Sequence, residues 1–213
     1  MTPQNILQIL QSEIHSVVFA TLDEQGLPQT CVIDLMLAEE DGLYFLTARG
    51  KSFYSRLMAR PFAALTGRKG RDTLSSVAIS LRGPVRNIGT ARLEEIFQKN
   101  PYMENIYPTR QSRGALEVFH LYKGEGEYFD LSRQPPFRQR FAFGGAAEHP
   151  AGYRINGEKC IGCQGCRSVC PTGCISEDIP RRIDESRCLH CGNCFGICPV
   201  QAVENLAGDG ATV

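Results

Sequence analysis

Nine of the ten cysteines fall between residues 160 and 198, and only Cys31 lies outside that stretch. Thiols at such density hold metal or close disulfides. Two runs, CIGCQGCRSVCP (160–171) and CLHCGNCFGICP (188–199), share the pattern C-x2-C-x2-C-x3-C-P. Cys160, Cys163, Cys166 and Cys170 return 28 positions later as Cys188, Cys191, Cys194 and Cys198. The likeness spreads outward, with Arg154-Ile155 answered by Arg182-Ile183 and Ile175 by Val203, so one unit is used twice.

The spacing has a chemical reason. Cysteines at i, i+3 and i+6 let a short loop wrap one corner of a cube and offer three thiolates to three irons. Gly162, Gly165, Gly192 and Gly196 predict tight backbone there, with amide N–H groups free to point at sulfur. The fourth cysteine opens a new segment, and Pro171 or Pro199 after it suits a first helical turn. Zinc is the competing metal, held in structural sites by four cysteines from paired C-x2-C knuckles, but it has no use for triplets followed by Cys-Pro.

The two runs resemble the bacterial two-cluster ferredoxin motif at every ligand position, over about residues 153–204. That resemblance implies two 4Fe–4S clusters in a small α+β domain with a pseudo-two-fold repeat, too small to fold without its metal. Cross-ligation gives Cys160, Cys163, Cys166 and Cys198 to one cluster, and Cys188, Cys191, Cys194 and Cys170 to the other. The fifth cysteine of the first run, Cys174, falls opposite Ala202, which ligates nothing. It is expected to pack beside a cluster; the alternative is a ligand to an altered one. His190, opposite Gly162, is expected at the surface or as a group tuning potential.

The preceding residues must position whatever these clusters serve. Thr2 and Pro3 predict a helix start, with Ile6, Leu7, Leu10 and Ile14 on one face. Residues 16–22, 28–36 and 43–47 then read as strands, 51–60 as a short helix, 61–67 and 76–89 as strands. Thr90 predicts another helix, and 115–131 a final hairpin. Six or seven strands with few helices imply a small antiparallel barrel.

That order resembles the FMN-binding split barrel of the pyridoxamine-phosphate-oxidase-like superfamily over about residues 5–130. GLPQTCVIDL (26–35) and GLYFLTARGKSFYSRLMARPFAALTG (42–67) carry the likeness. The fold class is therefore a mainly β split barrel with short helices, followed by the ferredoxin domain. TARGKS (47–52) sets Thr47, Arg49, Lys51 and Ser52 around Gly50 before a helix, a loop suited to a phosphate dianion. By the resemblance, Gln29, Thr30, Cys31 and Val32 run along the isoalloxazine ring. Cys31 stands where the oxidase itself has an arginine, which removes one phosphate contact and argues against a pyridoxal vitamer as substrate. Cys31 and His120 are otherwise expected to be packing residues.

The domains are expected at 1–131 (barrel), 132–152 (a linker docked on the barrel, where Arg138 or Arg140 lends charge near the flavin), 153–204 (ferredoxin) and 205–213 (a disordered tail). Lys plus Arg equals Asp plus Glu at 23 each, so no net field points to nucleic acid or an anionic membrane. The absence of a basic n-region and of a long apolar run predicts a cytoplasmic protein with no membrane partner. Two 4Fe–4S clusters and FMN on one chain predict an electron-transfer flavoprotein and FMN-dependent oxidoreductase. It is expected to work as a homodimer, fed by a redox partner protein or a small electron donor. No Rossmann glycine fingerprint is present, so reducing power is expected through the clusters. The rival is a redox sensor or electron wire whose barrel only dimerises or binds a small ligand; haem in place of FMN is a third reading.

Overall fold

The structure, a computed structural model, describes residues 1–206. Two compact units divide the chain: Met1–Arg71, Ser76–Tyr128 and Arg140–Glu148 form the first; Asp72–Ser75, Phe129–Gln139 and the residues from His149 onward form the second.

In the first unit, α1 (Pro3–Ile9) is capped by Thr2, whose hydroxyl accepts the Asn5 N–H at 3.2 Å, and Pro3 fills the first turn where no N–H is needed. Ile6, Leu7 and Leu10 are wholly buried, and a π-helical turn (Leu10–Ile14) leads into the barrel. The strands are β1 (Ser16–Leu22), β2 (Pro28–Glu39), β3 (Gly42–Ala48), β4 (Phe62–Lys69), β5 (Val77–Asn87) and β6 (Leu116–Leu121), with α2 (Ser52–Ala59) between β3 and β4. They follow one another around the barrel as β4-β1-β2-β3-β6-β5, and β5 pairs back onto β4 to close it. The pairings given for these strands are all antiparallel.

Inside, Phe19 meets Phe45 at 4.6 Å between ring centroids, and Phe45 meets Phe119 at 5.7 Å. All three are fully buried, each stabilising the fold by about 1.5–3 kcal/mol through leaving water. Outside, α3 (Leu93–Lys99) lays Ile96 and Phe97 against Met36, Leu46 and Val118. This helix starts at Arg92, in the left-handed region, rather than at the expected Thr90. A one-turn helix, α4 (Arg110–Arg113), precedes β6.

Two strands continue the sheet beyond β5: β7 (Gly124–Asp130) and β8 (Phe137–Phe143). The second lies within 132–152, the stretch expected as a linker docked on the barrel. Phe141 and Phe143 are buried, and a Cβ on Gly126 would come within 2.9 Å of the Phe141 ring. The bare glycine is what lets the phenyl seat there.

In the second unit, β9 (Tyr153–Ile155) pairs with β10 (Val203–Asn205), joining Ile155 to Val203. Its counterpart is the bridge between Ile183 and Ile175, the same two repeat positions with their roles exchanged. Two short helices, α5 (Gly165–Ser168) and α6 (Asn193–Ile197), follow the cysteine loops. Asn205 ends β10 and the Leu206 N–H donates to the Gly152 carbonyl at 2.8 Å, so regular structure runs past residue 204. The remainder of the expected tail, 207–213, lies outside the described residues. Among the described residues, no helix is long and apolar enough to cross a membrane.

Candidate functional site

The backbone of each cysteine loop turns through left-handed residues at matching positions: Gly162 with His190, Gln164 with Gly192, and Gly173 with Gln201, at φ between 50° and 79°. Glycine serves at one member of each pair only. Gly165 and Gly196, expected to allow tight backbone in these loops, lie instead within α5 and α6. Gly192 is doubly required, since a Cβ there would also press on the Tyr153 hydroxyl at 2.8 Å.

These turns gather the thiols around two small cavities. Cys160, Cys163, Cys166 and Cys198 line one; Cys188, Cys191, Cys194 and Cys170 line the other, together with Cys174. Among the described residues no three His, Cys, Asp or Glu side chains converge as tightly as a single ion requires. Thiols spread about a cavity suit the corners of a cube better than one tetrahedral zinc with its short Zn–S bonds. The residues therefore fit two cubane clusters. Backbone N–H groups already point at sulfur: Ala202 to Cys198 at 3.2 Å and His190 to Cys188 at 3.4 Å. Burial resists ionisation of Cys198, but donors at Ala202, Val200, Val203 and Gln201 outweigh it and hold the thiol below its ordinary range.

Cys174 is buried, its sulfur 3.5 Å from that of Cys170. Burial pushes the Cys174 thiol up to about 12. Cys170 goes the other way: the backbone N–H of Cys174 and donors from Thr172 overcome its burial. The Cys174 N–H thus does for Cys170 what the Ala202 N–H does for Cys198. His190 is half-buried with its ring against Gly152. Arg138 donates from Nε to the Cys188 carbonyl at 3.0 Å and lies over the Phe129 ring, both in the cysteine-rich unit. Sequence reasoning missed Arg181, a buried guanidinium lining the first cavity. In the 28-residue repeat Arg181 falls opposite Tyr153, which gives no hint of a buried cation.

In the barrel, the loop between β3 and α2 differs from expectation at Arg49. Its guanidinium is held by Glu117 at 3.1 Å and by the Gly114 carbonyl at 2.7 Å. Glu117 also accepts from Tyr54 and Asn87. Lys51 caps α2 by its backbone position, and Ser52 is the exposed first residue of that helix. Burial raises the Cys31 thiol while the charges of Arg56 and Lys51 work against that rise. Arg56, a second residue missed from sequence, donates to the Thr21 hydroxyl at 2.8 Å. Thr47 is 2% exposed and its hydroxyl has no partner among the described residues, the kind of orphaned donor a bound anion would satisfy. Gln29 turns away, its amide donating to Asp23. Thr30 and Val32 are exposed on the outer face of β2, where Val32 lies beside Val18. His120 is a packed residue: one ring nitrogen donates to the Asp41 carbonyl, the other accepts from Arg86, and Tyr44 stacks at 4.1 Å.

Residues 159–202 match the family model of a 4Fe-4S dicluster domain. A NimC/NimA family protein from Clostridium acetobutylicum superposes with a TM-score of 0.55 at 20% identity, over 66% of this chain and 91% of that one. A heme binding protein from Mycobacterium smegmatis gives 0.51 at 12% identity, over 66% of this chain and 57% of that one. A pyridoxamine 5'-phosphate oxidase-related, FMN binding protein from Nostoc punctiforme gives 0.45 at 12% identity, over 69% and 93%. No curated protein matches. The chain thus joins a closed antiparallel barrel, similar in fold to that NimC/NimA family protein, to a 4Fe–4S ferredoxin-type domain.

Proposed function

We propose that this split barrel with its dicluster domain is an electron-transfer iron–sulfur flavoprotein: two clusters relay single electrons between a redox partner and FMN on the barrel, with a small molecule as the final donor or acceptor. The observation that carries the reading is the sorting of eight thiols into two cavities, each with three from one run and the fourth from the other. When bound, 4Fe–4S clusters supply one-electron transfer, and a flavin supplies the exchange between one- and two-electron chemistry.

The chain's own residues do the rest. Cys160, Cys163, Cys166 and Cys198 hold one cluster; Cys188, Cys191, Cys194 and Cys170 hold the other; Cys174 fills space. In the barrel, Thr47, Lys51 and Ser52 receive the phosphate, Arg49 joins only by leaving Glu117, and Gln29, Thr30, Cys31 and Val32 follow the ring. Support comes from the unsatisfied Thr47 hydroxyl and from the two cations acting on Cys31. Val18, Leu22, Val32 and Phe62 are exposed apolar residues of β1, β2 and β4, a surface suited to a homodimer with FMN at the interface. Haem is less well supported: His15 and His120 have both ring nitrogens in hydrogen bonds, leaving neither ready as an axial ligand.

Analysis of anaerobically purified protein tests the reading. Two cubes predict about eight irons and eight acid-labile sulfides per chain, with about one FMN. Two zincs without sulfide would overturn the cluster assignment. Full iron with no flavin would leave the barrel as a dimerisation or small-ligand module and the clusters as a sensor or electron wire.

A further inference from the structure

We propose that Arg181 is a built-in counter-cation for the cluster at Cys160, Cys163, Cys166 and Cys198, raising that cluster's reduction potential; the inference rests on the cluster-binding reading above. Arg181 is 5% exposed. Among the described residues it forms no ion pair, and the nearby Glu177 carboxylate is taken by Arg167. Its Nη1 donates to the carbonyls of Ser176 at 3.1 Å and Glu177 at 2.5 Å, and Nη2 to that of Gly162 at 3.3 Å. Its Nε is buried and has no acceptor among the described residues. A guanidinium keeps its proton, and a buried cation without an anion is strongly unfavourable. The anion on offer is what the neighbouring cavity would hold, a cubane with four thiolates, negative in both oxidation states. The three carbonyls hold the guanidinium between the 176–177 segment and Gly162, which lies in the loop from Cys160 to Cys163.

The repeat supplies an internal control. At the equivalent place beside the other cavity stands Tyr153, an uncharged ring packed on Phe195 at 5.8 Å. Arg138 and Arg187 sit in the same unit but donate to the carbonyls of Cys188 and Thr172, and neither lines a cavity; Arg187 also has a buried Nε without a partner among the described residues, but unlike Arg181 it faces a carboxylate, Asp184 at 3.9 Å. Two half-sites with matching ligands thus differ by a cation against a ring. Reduction adds one electron from the external reductant; no bond forms or breaks and no proton is needed. The added negative charge is favoured by a fixed cation with a free N–H, so the potential rises on that side alone.

The test is an anaerobic titration of the full chain with dithionite, followed by electron paramagnetic resonance, with iron and sulfide counted on the same samples. In Arg181→Gln, iron should stay full and one cluster's midpoint should fall, shifting its electron occupancy at least about tenfold, or about 59 mV for one electron. The other midpoint should not move. Arg181→Lys, which keeps the charge, should recover part of the fall. Where Arg181→Gln cannot hold both clusters, Tyr153→Arg decides with Arg181 intact, and should raise only the other cluster's midpoint. Unmoved midpoints at full iron, or both moved equally, would overturn the proposal. Wild-type protein without iron would overturn the cluster reading beneath it.

Discussion

The sulfurs of Cys170 and Cys174 lie close enough to exchange roles, and the repeat decides between them. Cys174→Ala should keep both clusters, because Ala202 already occupies the equivalent place. Cys170→Ala should lose iron from the cavity of Cys188, Cys191 and Cys194, and a Cys170→Ala, Cys174→Ala double variant should lose more if Cys174 steps in as a substitute. Iron counts on the three proteins check this; half the iron gone in Cys174→Ala alone, with none gone in Cys170→Ala, would reverse the assignment. The grouping of the thiols about the two cavities was legible because their spacing is written directly in sequence. The left-handed residues Gln164 and His190 were not: each pays a penalty of about 1–2 kcal/mol that glycine would avoid, and only the closed loop reveals it. Arg181 was hidden for a related reason, since nothing in a run of two arginines tells which one turns inward.

Among elements, the strands of the barrel were largely readable from alternation, and the turn after β3 from its basic residues. What residue types cannot disclose is competition for a charge. Arg49 and Lys51 look equivalent in TARGKS, yet Arg49 is already committed to Glu117 and Gly114. A charge-assisted contact to phosphate contributes about 1.5–3 kcal/mol, and about 1.4 kcal/mol is tenfold in affinity. Lys51→Ala should therefore weaken FMN binding at least about tenfold, and Arg49→Ala should weaken it less, with iron content unchanged in both. Flavin titration by fluorescence quenching would show the order, and a larger loss in Arg49→Ala would mean that Glu117 releases its arginine when flavin binds. The strand β8 escaped because Pro135, Pro136 and the glycines after Phe143 read as breakers, and its register partner, β7, is itself half glycine and glutamate.

For the molecule as a whole, two folding regimes share one chain. The barrel has an aromatic core of its own, whereas the second unit is built around thiols. Removing iron with a chelator should erase the hydrogen-exchange protection of the β9–β10 ladder and leave that of β1 to β6 in place. Simultaneous loss in both would show a single cooperative unit. Val32→Glu, in the exposed apolar face beside Val18, should shift the protein towards monomer by light scattering and lower flavin occupancy with it; an unchanged dimer would move the interface elsewhere. The strand β8 also has a consequence for anyone who dissects this gene. The chain visits the second unit at Phe129–Gln139 and returns to the first at Arg140–Glu148, so a shortened protein stopped at residue 131 would surrender Phe141 and Phe143 and bare the edge of β7. Ending at residue 148 keeps them. During synthesis the same arrangement means that the ribosome delivers every strand of the barrel sheet before Cys160, the first thiol of the two runs, emerges.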